Sequence, residues 1–72
     1  MINYEPFEEC YATVTGRCGT GVFLRLDNNE EAFAYSFNLI PGTKVLCTVR
    51  KSATDNRRTL VWIDSVVQYA AA

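Results

Sequence analysis

The side chains of this 72-residue chain best suited to chemistry are cations and aromatic rings at strand spacing. The segment Arg50-Lys51-Ser52-Ala53-Thr54-Asp55-Asn56-Arg57-Arg58 holds four cations and one carboxylate in nine residues. Folded as a hairpin, it brings Arg50 and Lys51 beside Arg57 and Arg58. Like charges placed so close are destabilising unless an anion compensates them, either Asp55 or the phosphates of a bound polyanion. Phe23 and Arg25 alternate with Val22, Leu24 and Leu26. If the three aliphatic residues point inward along a strand, Phe23 and Arg25 point outward together. An outward ring beside an outward cation suits a single-strand binder, in which rings stack on bases and cations hold phosphates. The alternative is that Phe23 packs beneath a loop or the C-terminal tail. Phe33, Tyr35 and Phe37 also share one face, which fits a stacking platform or a core equally, whereas Trp62 reads as core or barrel-end packing, with a nucleic-acid contact as the alternative.

Other chemistries are poorly served. The chain has no His, which excludes Cys/His zinc sites, Ser-His-Asp triads and Cys-His nucleophile pairs. Gly16, Gly19 and Gly21 do not form a G-x-G-x-x-G fingerprint and read instead as a tight bend at a barrel corner. The turn from Asp27 to Glu31 lacks the glycine and spacing of an EF-hand loop. Carboxylate acid–base catalysis needs a concave, partly dry pocket that so small a domain rarely encloses. No enzyme activity, cofactor, metal or small-molecule substrate is therefore expected. Cys10, Cys18 and Cys47 have no metal spacing and read as reduced thiols, with Cys18 in its glycine-rich stretch the most exposed. The absence of an 18-residue apolar run and the acidic N-terminal stretch argue against a membrane span or secretory signal, leaving the cytoplasm as the expected location.

Charge sharpens the partner class. Seven basic residues stand against eight acidic ones, a formal net charge of −1, which argues against a strong general polyanion binder. The distribution is uneven, however. Residues 1–36 carry two basic and six acidic side chains, whereas residues 37–72 carry five basic and two acidic. A small local polyanion site remains compatible with that division.

Turn residues cluster at Gly16 to Gly21, Asp27-Asn28-Asn29, Pro41-Gly42 and Asp55-Asn56, separating runs rich in Val, Leu, Thr, Tyr and Phe. Five strands follow, over Glu9–Arg17, Gly21–Asp27, Glu31–Ser36, Thr43–Lys51 and Arg57–Val67. The second and fourth alternate cleanly, as half-buried antiparallel strands do. Ser36–Ile40 has room for one helical turn before Pro41. Five short strands in so few residues are best buried by coiling one sheet into a barrel with a shared core. The predicted fold is all-β: a five-stranded antiparallel OB-fold barrel over residues 9–67, with a lead-in over 1–8 and a tail over 68–72.

The order of these motifs resembles the RNA-binding domain family named after ribosomal protein S-one. Ala12-Thr13-Val14 stands where that family has G-x-V. Gly21-Val22-Phe23-Leu24-Arg25-Leu26 is similar to its second strand, Pro41-Gly42-Thr43-Lys44-Val45 to its glycine step into the fourth, and Asp55-Asn56-Arg57-Arg58 to its closing turn. The chain departs from the pattern at Ala12, Arg17 and Thr20, and in a shortened connection from third to fourth strand. The resemblance implies single-stranded RNA as partner, with Phe23 as a stacking residue, Tyr35 where the family usually has His, and Asp55 with Arg57 or Arg58 as a polar pair. Together with the chemistry above, the expected site is Phe23 and Tyr35 for bases and Arg25, Lys51, Arg57 and Arg58 for phosphates. Asp55 would orient the arginines or accept a base-edge donor, and Lys44 could extend the track. The expected binding is weak and low in sequence preference. The rival is a barrel that has lost RNA binding and uses the same aromatics against a protein partner or a second copy.

Overall fold

A computed structural model describes residues 4–35, 39–54 and 57–70. Five strands form: β1 (Glu9–Cys18), β2 (Gly21–Leu26), β3 (Glu31–Ala34), β4 (Lys44–Lys51) and β5 (Thr59–Gln68). They close into one barrel in the order β1-β2-β3-β5-β4, that of an OB-like fold. Among the described residues, no helix is long and apolar enough to cross a membrane. Ser36, Phe37 and Asn38, most of the expected helical turn, lie outside the described residues, as do Asp55 and Asn56.

The all-antiparallel expectation needs one correction, because β3 and β5 run parallel through Ala32↔Thr59 and Phe33↔Leu60. Closure requires it. An odd number of strands cannot alternate direction all the way round a ring, so one neighbouring pair must run the same way. The four remaining pairings are antiparallel. β5 also starts at Thr59 rather than Arg57. A bridge from Thr54 to Arg57 closes the hairpin tip, and register shifts between Val49 and Lys51, so Arg57 and Arg58 lie in the connection.

Strand alternation builds the core. Val22, Leu24 and Leu26 of β2 are buried, as are Val45, Cys47 and Val49 of β4, joined by Val14, Val61 and the small Ala32 and Ala34 of β3. Because the two alanines face inward, Phe33 and Tyr35 face out. A bulge between Val14 and Gly16 bends β1 where it meets β2. Asn29 takes a φ of 71° in the β2–β3 turn, a left-handed conformation that Asn tolerates, and Asn28 Oδ1 accepts from the Glu30 N–H. The buried Thr59 hydroxyl donates to the Glu30 carboxylate, pinning the start of β5 to that turn. The lead-in is tied down too. The Tyr4 hydroxyl donates to Asp27, which together with partial burial raises the phenol to about 12, and Ser52 Oγ donates to the Tyr4 carbonyl at 2.8 Å.

The thiols divide by environment. Cys10 and Cys47 face each other across β1 and β4 with Sγ atoms 3.6 Å apart in the core, and desolvation pushes both thiols up. Cys18 is exposed, and hydrogen bonding from the Thr20 side chain and backbone lowers its pKa. A thiol reagent is expected to modify one cysteine promptly in the folded protein and all three in denaturant, because the thiolate is the reactive form. Cys18→Ser should remove the prompt phase. Equal reaction of all three thiols in buffer would contradict this packing.

Candidate nucleic-acid interface

The outer face of β2 and β3 carries three aromatic rings in line. Phe23 pairs across the ladder with Phe33, their centroids 5.3 Å apart at 60°. Phe33 meets Tyr35 edge-on at 5.0 Å. Such tilted and edge-to-face contacts are the favoured aromatic geometries, so the three rings hold one another in place. Two glycines lie beneath the row, and one of them is required by it. Gly16 lies opposite Phe23 in the β1–β2 ladder, with the Phe23 ring at ordinary van der Waals distance from where its Cβ would be. Gly21 lies directly under the Phe33 ring and the Ala34 carbonyl, leaving no room for a side chain. Phe23 and Phe33 are half-buried, whereas Tyr35 is 68% exposed and presents its ring to solvent.

The β4–β5 connection supplies the charge. A cleft of about 450 Å³ lies between it and the aromatic row, lined by Phe33, Tyr35, Lys51, Ser52, Thr54, Arg57, Arg58 and Leu60. Arg58 reaches across to β2 and places its guanidinium 5.0 Å from the Phe23 ring centroid, a cation–π contact. Arg50, at the other side of the hairpin base, lies 5.2 Å from the Trp62 centroid instead. The four cations therefore divide, three at the cleft and Arg50 apart from them. Two rest on aromatic rings, while Lys51 and Arg57 edge the cleft with Arg58. A guanidinium held over a ring makes no hydrogen bond to it, so its in-plane N–H donors stay available for an oxygen ligand.

Of the site residues read from the sequence, Phe23, Tyr35, Lys51, Arg57 and Arg58 come together around this cleft and its aromatic wall. Arg25 does not join them. It points outward as expected, but pairs with Thr13 and Glu31 and lines a second groove with Tyr11, Asp27, Lys44 and Val67. Lys44 shares that groove and does not extend the cleft. Asp55 lies outside the described residues.

Three further residues lie at or beside this surface that the expected site did not include. Phe33 stood undecided between core and surface, and the inward placement of Ala32 and Ala34 settles it. Leu60, opposite Phe33, forms part of the cleft wall. Trp62 is 47% exposed on the outer face, which corrects its reading as core. A signal for this was present, since Asp64 shares its strand phase and a carboxylate there marks the solvent side. Comparison with known proteins adds no relative: no family model, no curated protein and no solved structure matches this chain.

Proposed function

We propose that this barrel is a single-stranded RNA-binding module of low sequence preference, with bases stacking on Tyr35 and the Phe23–Phe33 row and phosphates held by Lys51, Arg57 and Arg58. The observation that carries the reading is the cleft in which an exposed aromatic row and three cations share one surface, with Arg58 seated on Phe23. Stacking and phosphate contacts carry little base identity, which accounts for the low preference. The outer face of β2–β3 with its flanking loops is also where OB barrels bind oligonucleotides. Within this reading the module works in the cytoplasm and binds without chemical turnover.

The test is a titration of labelled oligouridylate at about 50 and about 200 mM salt. Wild-type affinity is expected to fall with salt. Arg57→Ala/Arg58→Ala should weaken binding and flatten the log–log salt slope by about 1.4, since each phosphate contact on a single strand contributes about 0.7. Binding that ignores both salt and the double substitution would refute the reading.

The second reading, a protein-interaction barrel, draws support from exposed Tyr11 and Val67 in the groove on the other side of β1. It predicts self-association or partner capture lost on Tyr11→Ser, with no response to RNA.

A further inference from the structure

We propose that Trp62 and Arg50 form a second stacking station, taking a nucleobase and its phosphate from the same single strand after it leaves the cleft. This inference rests on the RNA-binding reading above and extends its site onto β4 and β5.

Trp62 repeats the pattern found at Phe23. It is an aromatic ring on the outer face of a barrel strand with an arginine guanidinium over it, at 5.2 Å against 5.0 Å for Arg58 and Phe23. Buried or loop-covered tryptophans need no such partner, but this ring is nearly half exposed. The two stations are also contiguous. Leu60 in the cleft wall is two residues before Trp62 on the same face of β5, about 7 Å along the strand. Lys51, at the cleft edge, follows Arg50 directly on β4. A backbone held by Lys51 is thus within one strand step of a cation already seated on an aromatic ring.

The charges beyond Trp62 mark where the track ends. Thr48, opposite Trp62 on β4, donates to the Asp64 carboxylate and pairs on its other side with Glu9 of β1. Phosphates are favoured as far as Arg50 and repelled past it. The ligand class is therefore a single strand long enough to reach from Tyr35 across Leu60 to Trp62, with its last stacked base on the indole.

Trp62 is the only tryptophan in the chain, so its emission reports this station alone. An oligouridylate of roughly ten nucleotides, within the span covered by an OB barrel, would be followed by the anisotropy of an end label and by Trp62 fluorescence together. The expected result is quenching that saturates with the anisotropy, affinity roughly fivefold or more weaker in Trp62→Ala, and most of it kept in Trp62→Phe. Unchanged emission, with Trp62→Ala binding as wild type while Phe23→Ala binds weakly, would overturn the second station and leave the cleft reading intact. No anisotropy change with any variant would overturn both. Loss of self-association in Trp62→Ala without any effect on RNA would assign the ring to a protein contact and equally overturn the proposal.

Discussion

Phe23→Ala is expected to weaken oligouridylate binding by about 1–3 kcal/mol, roughly 5- to 150-fold in Kd. The ring does three things that Ala cannot do. It offers a stacking face, it holds Phe33 at a tilt in the aromatic row, and it seats the Arg58 guanidinium beside the cleft. Removing it leaves the cation without its platform, so the loss should fall toward the upper end of that range. Phe23 is half-buried, and the substitution will also cost some stability. Tyr35→Ala separates the two effects, because that ring is mostly in solvent. It should leave the melting temperature nearly unchanged and still weaken binding by about 1 kcal/mol or more, as read by anisotropy alongside thermal denaturation. Wild-type affinity in both variants would remove the aromatic row from the site.

Gly21→Ala carries the largest expected effect on the fold itself. A methyl group there would overlap the Ala34 carbonyl oxygen and stand 2.7 Å from the Phe33 ring. The carbonyl belongs to the backbone of β3 and cannot swing aside, so β2 and β3 must separate or Phe33 must leave the row. A cost of about 3 kcal/mol or more follows for overpacking against backbone. A domain of this size has only about 4–11 kcal/mol in total. The melting temperature should therefore drop by roughly 12 °C or more. Gly19→Ala is the control, since nothing lies within 4 Å of the Cβ it would add, and it should melt within a few degrees of wild type. Equal melting temperatures for the two variants would show that β2 does not approach β3 as closely as described.

The fold was largely legible because period-two alternation reports which face of a strand is buried, and turn residues bracket each run. Val22, Leu24, Leu26, Val45, Cys47 and Val49 all follow that rule inward. That one pair must run parallel follows from closing five strands into a ring, but that the pair is β3 with β5 is not written in either strand's own residues. The start of β5 shifted because a bridge at Thr54 and Arg57 closes the hairpin tip before the ladder begins.

The site was legible in its residue types more than in its grouping. Phe23 and Arg25 both read as outward from their own strand, but strand phase does not say which groove each lines, and Arg25 lines the one with Tyr11 and Lys44. The basic hairpin was expected to crowd its cations together. Three of them, Lys51, Arg57 and Arg58, do line one cleft, with Arg58 resting on Phe23, while Arg50 turns to the other side of the hairpin base and rests on Trp62. The core reading of Trp62 fails although bulk and hydrophobicity favour burial, because Asp64, in the same strand phase, marks that face as solvent-facing.

The central claim is that single-stranded RNA binds across the cleft between the aromatic row and the β4–β5 connection. Its most direct test is an NMR titration of the labelled protein with oligouridylate, mapping which resonances shift. The predicted result is a contiguous set at Phe23, Phe33, Tyr35, Lys51, Arg57, Arg58 and Leu60. No shifts, or shifts centred on the Tyr11, Arg25, Lys44 and Val67 groove, would contradict it.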